Sequence, residues 1–402
     1  MRAFGRHLRV FRLKYWASWL PNSLFTALNK DLKLIFVSNF IGAFGDGLYA
    51  YIWPLYIREL GADPSEVGVV FSVLFFVAAL TPLPGGILAD KYDRKKLMIL
   101  GWLLWIPIPL VFSAAEHWTH MLPGAALYGI MLSGPATSAY IATVAHKKKM
   151  TQTFTLISAA WWLGYIFSPA IGGYLSSTVG MKWVFNLSFF FFVLATVLLL
   201  FISSQFTLSD SRREASGIPN RRRKILLWSA FFAAVFFVTI LFRPYVPQFF
   251  QDVLFFDKFQ IGILGSVTFL GSAILSVALG KLGDKWGKAN AVFVSLILCF
   301  LALSFLVSLS NFFLLSFASF MIGASYPLWS LMGAVISSIA PSPSRGRWIS
   351  VAQTMSLLAA FFAPYLGGLL YDSSPDKPFL IAIVATSILS VLALTKPLKD
   401  KN

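Results

Sequence analysis

The chain has 402 residues, of which 57% are hydrophobic and only 12% are charged, with 33 lysines and arginines against 16 acidic residues. Because an ordinary soluble domain carries about a quarter charged residues, this composition excludes a soluble globular protein, and its apolar content excludes a disordered basic tail. The net charge of +17 would suit nucleic-acid binding only if it lay on one folded face.

The chain begins with a basic segment, residues 1–32, in which arginines and lysines alternate with Phe, Leu and Trp. It has neither the uninterrupted apolar region nor the cleavage site of a signal peptide. We expect a cytoplasmic amphipathic lead-in that lies on the membrane surface. A disordered segment is the alternative.

Twelve apolar segments follow, and each approaches or exceeds the length of about 20 residues that a bilayer-spanning helix needs. Their prolines and glycines are tolerated in membrane helices. The sequence therefore predicts an all-α integral membrane protein with twelve transmembrane helices. The segments are 33–58, 66–88, 97–115, 120–144, 151–176, 182–203, 225–250, 260–281, 289–309, 312–340, 349–371 and 377–395.

The basic residues follow the alternation of these segments. With the N-terminus inside, 28 of the 33 lysines and arginines fall in seven inner segments, four in outer loops and one within a span. An excess of basic residues marks the cytoplasmic side of a membrane protein. The positive charge thus records orientation in the lipid bilayer, with both termini cytoplasmic, and it predicts a multi-pass plasma-membrane protein with no nucleic-acid partner.

The chain also contains an internal duplication. A polar connection, residues 204–224, separates a first set of six spans (33–203) from a second (225–395), and a short tail, 396–402, follows. Similar stretches recur in the same order at an offset of about 194 residues, such as Pro54 with Pro247 and the Glu66-Val-Gly68 run with Gln260-Ile-Gly262. Two equivalent six-helix bundles, related by an axis along the membrane normal, are a transporter architecture.

The loop between the second and third spans carries a distinctive polar pattern. It reads Gly86-x-x-x-Asp90-Lys91-x-x-Arg94-Lys95, and a weaker copy with Gly280, Asp284 and Lys285 follows the eighth span. This loop resembles the signature loop of the major facilitator superfamily (MFS), and the span count and basic central connection match over essentially the whole chain. The resemblance implies two six-helix bundles that work by alternating access, and a role for Asp90, Lys91 and Arg94 in stabilising the outward-open state.

The residue types in this loop suit a conformational latch. Gly86 would let a neighbouring helix approach closely, and Asp90 could accept hydrogen bonds from Arg94 or from a helix N-terminus. Asp93 stands where the family usually has glycine, and because Asp is among the few residues that tolerate a left-handed turn conformation, we expect the loop to keep its form. A solvated basic loop that only sets topology is the alternative.

A run of small residues in the fifth span resembles the Gly-Pro-rich motif of the family's antiporters. A similar run lies in the eleventh span. A helix-packing face repeated in both halves therefore explains these residues as well as an antiporter motif does. The residues of the two runs are Gly164, Ser168, Pro169, Gly172 and Gly173, and then Pro364, Gly367 and Gly368.

Only Asp46 and Arg243 place a charge deep within a span. Asp46 lies about 20 Å along the first helix, near the midplane, where an ionisable residue is expected to face protein or a wet cavity. The helical stripe that Asp46 shares with Asn39 and Trp53, flanked by Tyr49, is the predicted cavity wall.

The duplication places Arg243 one helical turn outward of the position equivalent to Asp46. We therefore expect an Asp46–Arg243 pair across the pathway, with Asp46 binding and releasing a proton during transport. Two alternatives stay open at this point. Arg243 could extend to the outer surface, and Asp46 could be a buried structural residue.

Further candidates are aromatic residues within spans that could line a cavity, although such residues more often pack or anchor at the interface. They are Tyr128, Trp162, Tyr326 and Trp329. The chain has no nucleotide-binding Gly-x-x-x-x-Gly-Lys-Ser/Thr loop. It also lacks the paired histidines or acids within spans that a metal, a cofactor or membrane-embedded enzyme chemistry would need.

These observations predict a monomeric secondary transporter that moves a small organic solute, with no cofactor and no enzymatic activity. Proton-coupled export of a lipophilic or cationic compound is the favoured interpretation, because a sugar site would need more Asn and Gln. Import of a small organic anion that binds Arg243 is the alternative. A non-transporting membrane receptor or structural protein is a more distant one.

Overall fold

The computed structural model describes residues 28–145, 150–205, 219–341 and 345–395, and all regular secondary structure in these ranges is helical. Most of the predicted lead-in, residues 206–218 of the predicted linker and the C-terminal tail lie outside the described residues. The domain boundaries therefore stay a prediction.

The helices form twelve spans, and the first six are built as follows. Span 1 consists of Lys30–Ala50 and Trp53–Glu59, span 2 of Pro64–Leu80 and Pro82–Lys91, span 3 of Arg94–Trp105 and Pro107–Ser113, span 4 of a 3-10 turn at Trp118–Met121 followed by Leu122–Tyr128 and Ser133–Val144, span 5 of Met150–Thr178, and span 6 of Met181–Leu200.

The second six spans repeat this order. Span 7 consists of Pro219–Phe242, a 3-10 turn at Arg243–Tyr245 and Val246–Asp252, span 8 of Lys258–Trp286, span 9 of Lys288–Ser308, span 10 of Phe312–Ile322, a 3-10 turn at Gly323–Ser325 and Pro327–Ile339, span 11 of Arg345–Ser373, and span 12 of Lys377–Ala393. Within the described residues, eight spans are long and apolar enough to cross a bilayer as one helix, and span 1 does so as a pair of helices bent by 43°.

Spans 1 and 7 break at equivalent positions. Span 1 bends just before Pro54, and span 7 passes through its 3-10 turn just before Pro247. Proline offers no amide hydrogen to the carbonyl four residues earlier and so interrupts the helix there. The two aligned prolines thus place Ala50 and Arg243 at the breaks, and irregular backbone is tolerated at membrane depth where it lines a cavity.

The packing of the spans has the symmetry that the duplication predicts. Span 1 packs on spans 5 and 6, and span 7 packs in the same way on spans 11 and 12. The two halves meet along two seams, one between spans 2 and 11 and one between spans 5 and 8. The duplication relates span 2 to span 8 and span 11 to span 5, so the two seams are equivalent. The predicted two-bundle all-α architecture is confirmed.

The small residues of span 5 lie where helices approach most closely. Gly172 faces the backbone of Leu48 in span 1, and Gly173 faces Gly262 and the backbone of Lys258 in span 8. A Cβ atom at either glycine would overlap these backbones. Span 5 can therefore sit against span 1 of its own half and against span 8 across the seam only because both positions are glycine.

Span 11 repeats this arrangement. Gly367 faces the carbonyl of Leu241 in span 7, and Gly368 faces the backbone of Pro64 and Ser65 in span 2. In both halves, the first glycine of the pair faces the first span of its own half and the second faces the other half.

Ser168 of span 5 has its hydrogen-bond partner within its own helix. Its hydroxyl donates to the carbonyl of Gly164 at 2.8 Å.

Polar contacts join the two halves at their outer ends and close that side of the protein. They are an ion pair between Lys258 Nζ and Glu59 Oε1 at 2.5 Å, a longer one between Arg58 and Asp252 at 4.0 Å, a hydrogen bond from the Ser65 amide to Asp372 Oδ2 at 3.2 Å, and one from the Tyr245 hydroxyl to the Pro64 carbonyl at 3.3 Å.

Candidate functional site

A cavity of about 450 Å³ lies between the halves at the level where spans 1 and 7 break. Span 1 contributes its bend, and span 7 contributes the 3-10 turn that carries Arg243. The residues that line it are mostly aromatic or aliphatic, which suits a lipophilic organic ligand. They include Ala50, Tyr51, Pro54, Phe71, Phe75, Trp162, Phe236, Ile240, Arg243, Pro247, Thr268, Phe269, Ser325, Tyr326, Trp329 and Leu357.

Ring-to-ring contacts hold the aromatic wall of the cavity together. The Tyr326 ring lies 5.2 Å from that of Phe269 and 6.0 Å, edge to face, from that of Trp162. Trp329 packs edge to face against Phe236 at 5.1 Å. Since Trp162 belongs to the first half and the other four to the second, this wall is shared by both halves. Of the aromatic candidates predicted from sequence, Trp162, Tyr326 and Trp329 line the cavity.

Arg243 supplies the charge of the cavity. Its guanidinium carbon lies 3.8 Å from the centroid of the Tyr326 ring, a cation–π contact. Among the described residues, Arg243 is the only charged side chain that lines the cavity, and it forms no ion pair there. A ligand that enters the cavity therefore meets a positive charge that no acidic residue among the described ones neutralises.

Asp46 is held differently. Its side chain is 1% exposed, and it lies among hydroxyl groups that other spans contribute. The Tyr128 hydroxyl in span 4 donates to the carboxylate with both oxygens at 2.7 Å, and the Tyr165 hydroxyl in span 5 donates to Oδ2. Tyr49, on the same helix as Asp46, lies beside the carboxylate, although no hydrogen bond of standard geometry joins the two.

The predicted Asp46–Arg243 pair is not formed in this structure. Asp46 points into the first half, toward its tyrosines, whereas Arg243 points into the cavity. A chain of aromatic contacts connects the two, from Tyr165 to Phe269 at 4.6 Å, then to Tyr326. The two charges thus have separate surroundings and do not face each other.

The predicted cavity wall on span 1 is also corrected. Asn39, Tyr49 and Trp53 are buried, at 6%, 0% and 1% exposure, and none of them lines the cavity. Trp53, for example, stacks on Phe112 of span 3 at 4.9 Å. The helical stripe faces the interior of the first half, and the bend after Ala50 turns a different face of the span toward the cavity.

In the signature loop, Arg94 binds groups of its own half. Its side chain is 8% exposed, and Nη1 donates to the Ala139 carbonyl and to Gln205 Oε1, both at 3.0 Å, and to the Thr143 hydroxyl. Arg94 therefore ties the inner ends of spans 3 and 4 to the chain after span 6. The side chain of the predicted partner, Asp90, lies outside what the structure describes.

Asp93 needs no left-handed turn conformation in this loop. Its φ is −56°, and it caps the N-terminus of span 3 by accepting from the Lys95 amide at 2.9 Å and the Gln205 amide at 3.1 Å. A residue that begins a helix needs extended rather than left-handed backbone, and aspartate is among the best residues for that position.

The glycines of the two loops are not close to a neighbour in this outer-closed structure. A Cβ atom at Gly86 or Gly280 would meet open space among the described residues, so the predicted close approach of a helix is absent here. Lys91, Asp284 and Lys285 are exposed.

Sequence reasoning missed Tyr165, Phe269 and Tyr51. A signal existed for Tyr165, because tyrosine is usually found at the membrane interface rather than at mid-depth, and a buried tyrosine hydroxyl needs a partner. Its position on the same helix as Ser168 and Pro169, deep in span 5, could have pointed to Asp46. No such signal marks Phe269 among the 40 phenylalanines of the chain.

The sequence profile of the Major Facilitator Superfamily matches residues 35–254 and 227–401, so the chain belongs to this family. It is 27% identical over 93% of its length to multidrug resistance protein 2 of Bacillus subtilis, of which the match covers 96%. It is 21% identical over 89% of its length to the quinolone resistance protein NorA of Staphylococcus aureus, of which the match covers 94%.

Solved structures show the same fold. A point mutant of the nucleoside transporter NupG superposes with a TM-score of 0.75 at 13% identity, covering 91% of this chain and 99% of NupG. A bacterial homologue of the human lysosomal transporter Spinster, inward-facing and occupied, superposes with a TM-score of 0.69 at 16% identity, covering 93% and 96%. Because it belongs to the Major Facilitator Superfamily, the chain is a multi-pass transporter of the cell membrane that carries small molecules, and not an enzyme.

Proposed function

We propose that this transporter exports lipophilic aromatic compounds from the cytoplasm in exchange for protons, and that it does so as a monomer. The observation that carries the proposal is the aromatic cavity between the halves, which a single chain forms completely and whose walls offer rings rather than amides to a solute. The names of the relatives, multidrug and quinolone resistance proteins, support export and the broad chemical class.

The charge of the cavity narrows the class further. An organic cation would sit beside the guanidinium of Arg243, whose charge no described acid neutralises. Like charges at short range in a site of low dielectric repel strongly. We therefore retain the lipophilic part of the sequence-based prediction and give up the cationic part.

Asp46 is the proposed proton site. A carboxylate in the interior of a membrane protein marks a functional position by default, and two tyrosine hydroxyls supply the hydrogen bonds that its charged form needs. Proton binding at Asp46 from the outer side, followed by release to the cytoplasm, would drive the solute outward.

Import of a small organic anion is the second candidate, and Arg243 favours it, because an anion entering the cavity would find a guanidinium that no described acid has paired. The two candidates differ in the direction of transport and in the residue on which transport depends.

Two dyes that share one aromatic framework can separate them: neutral N-phenylnaphthylamine and its anionic sulfonate, anilinonaphthalene sulfonate. In inverted membrane vesicles with an acidic interior, export predicts accumulation of the neutral dye, which Asp46→Asn abolishes. Import predicts instead that right-side-out vesicles in acidic medium accumulate the sulfonate, which Arg243→Ala abolishes. No accumulation of either dye above empty vesicles would contradict both proposals.

A further inference from the structure

Tyr165 contacts both the buried acid and the opposite half. Its hydroxyl donates to Oδ2 of Asp46, and its ring contacts Phe269 of span 8 across the seam, with the two ring centroids 4.6 Å apart. Phe269 is 5% exposed, belongs to the second half and lines the cavity. One side chain thus joins Asp46, the seam and the cavity wall.

A second contact crosses the seam one turn away. The amide of Ala170, in the turn after Pro169, donates to the Ser266 hydroxyl of span 8 at 3.0 Å. Together with the Tyr165–Phe269 contact, it ties the halves together at the depth of Asp46. A motion that opens the outer side must change this part of the seam.

Tyr128 provides the contrast. Its hydroxyl lies 2.7 Å from both oxygens of the carboxylate, but its ring contacts Tyr49, Trp53 and Trp105, all of which belong to the first half. Tyr128 can therefore stabilise Asp46 without ring contacts to the second half.

We infer that Tyr165 is a positioning residue that transmits the protonation state of Asp46 to the seam between the halves and so biases the outer side toward open or closed. This inference rests on the proposed proton site at Asp46. When Asp46 is charged, its bond from Tyr165 is charge-assisted and holds the ring against Phe269, as in this outer-closed structure. When Asp46 takes up a proton, the bond loses its charge assistance, the ring is released, and the outer side opens more readily.

Several groups face Asp46 from the helices packed around it. Among the described residues at this site, only Asp46 changes charge. Tyr49 faces it from its own helix, Tyr128 from span 4 and Tyr165 from span 5. Spans 3 and 6 contribute apolar rings, Trp102 and Phe191, to the neighbouring positions on span 1. Among the described residues, no lysine, arginine, histidine or second carboxylate reaches it.

The experiment measures the opening of the outer side as a function of pH. Spin labels are placed at Glu116→Cys in the first half and Phe313→Cys in the second, both exposed at the outer side, in a Cys299→Ser background that removes the single native cysteine. Double electron–electron resonance then gives the populations of the short and long inter-label distances in lipid nanodiscs at pH 5 and pH 8.

Between pH 8 and pH 5, we expect the ratio of closed to open molecules to fall about fivefold in the otherwise unchanged protein, which is the difference between a charge-assisted and a neutral hydrogen bond. Tyr165→Phe keeps the ring but lacks the hydroxyl, and we expect it to show the same ratio at both pH values. Tyr128→Phe, the matched control, loses the other hydroxyl that binds Asp46 and is expected to retain a change in ratio between the two pH values.

Phe269→Leu is the second variant. It keeps the Asp46–Tyr165 bond and removes the ring partner across the seam, and we expect it to abolish the pH dependence as well. If either Tyr165→Phe or Phe269→Leu, folded in nanodiscs, retains the full change in ratio, the inference about Tyr165 is overturned.

The variant Asp46→Asn distinguishes a failure of the inference about Tyr165 from a failure of the proposed proton site at Asp46. If Asp46→Asn abolishes the pH dependence but Tyr165→Phe keeps it, Asp46 stands as the proton site and only the role of Tyr165 is lost. If Asp46→Asn keeps the dependence, the signal comes from other groups such as the outer ion pairs, and the proton site and the inference both fail. A parent protein whose ratio does not change with pH overturns both in the same way.

Discussion

The two intramembrane charges occupy nearly equivalent places in the two halves and yet have opposite surroundings. Asp46 is 1% exposed and accepts hydrogen bonds from two tyrosine hydroxyls of its own half. Arg243, at the break of span 7, is partly exposed, rests on the ring of Tyr326 and lines the cavity without an acidic partner among the described residues. One charge is enclosed by donors, and the other is open to a ligand.

This difference indicates a division of labour. A charge whose partners are all internal can change state without touching the solute, which suits a proton site. A charge that no neighbouring acid neutralises can be completed by the solute itself, which suits recognition. The duplication gave both halves the same order of six spans, whereas their side chains enclose the charge of the first half and leave the charge of the second half open to the cavity.

The largest expected effect concerns stability. Asp46→Ala leaves the hydroxyls of Tyr128 and Tyr165 buried without an acceptor, and we expect it to lower the free energy of unfolding by about 3 kcal/mol. Arg243→Ala removes only a cation–π contact, worth about 1 kcal/mol or less at a partly exposed site. Thermal unfolding in detergent checks both, with Asp46→Asn, which keeps an acceptor, as the control. Equal losses for the two alanine variants would abolish the contrast.

The next effect concerns binding. Arg243→Ala is expected to weaken anilinonaphthalene sulfonate binding about tenfold or more, because a hydrogen bond to a charged group is lost. Binding of the neutral N-phenylnaphthylamine should change less than about twofold, since Arg243 offers it no charge partner. Fluorescence titration in nanodiscs measures both, with Asp46→Asn, which lies away from the cavity, as the control. If both dyes lose affinity equally, Arg243 shapes the cavity rather than recognising charge.

A smaller effect is expected at Tyr326, whose ring supports the guanidinium at 3.8 Å. Tyr326→Leu removes that support, and because an unrestrained arginine must be ordered on binding, affinity for the sulfonate should fall about threefold. Tyr326→Phe keeps the ring and should bind normally. The same titration checks this, and a loss in Tyr326→Phe as large as in Tyr326→Leu would point to the hydroxyl instead.

A carboxylate that is hydrogen-bonded but exposed, Asp63, provides the counterpart to the buried Asp46. Partial burial acts to raise the pKa of Asp63, but hydrogen bonds from the Glu66 amide and from Ser65 outweigh it and hold the pKa below its usual value. A lowered pKa means that the stabilisation is present near neutral pH and is lost as the pH falls through that pKa.

Asp63→Ala removes this N-cap of span 2 and should cost about 1 kcal/mol near neutral pH, with the deficit shrinking below about pH 4. Thermal unfolding of both proteins across this pH range tests the sign. A deficit that grows as the pH falls would contradict it. Comparison with Asp46→Ala then shows how much of the Asp46 effect comes from its burial in the membrane interior.

Much of the fold was predictable because the bilayer imposes simple rules. Apolar length gave the twelve spans, the basic loops gave the orientation, and the repeated residues gave two bundles. Local patterns also identified real packing positions, since Gly172 and Gly173 lie at the closest helix contacts. The stripe of Asn39, Asp46 and Trp53 was a true helical face, but it faces the interior of the first half and not the cavity.

The partners of the two charges could not be predicted in this way. Sequence spacing relates residues along one helix or between repeats, and so it paired Asp46 with Arg243 by symmetry. Tyr128 and Tyr165 come to Asp46 from spans 4 and 5, and Tyr326 comes to Arg243 from span 10. Rotation of each helix about its axis, which depends on packing against all neighbours at once, sets these contacts.

By itself, the sequence determined that this protein crosses a membrane, which side each loop occupies and which two charges lie at mid-depth, because hydrophobic length and charge placement act locally along the chain. The tertiary structure decided that Asp46 is enclosed by tyrosines, that Arg243 is left open to the cavity and that Tyr165 bridges the halves. Those outcomes depend on which faces of distant helices meet, and close packing fixes them only when the whole bundle is assembled.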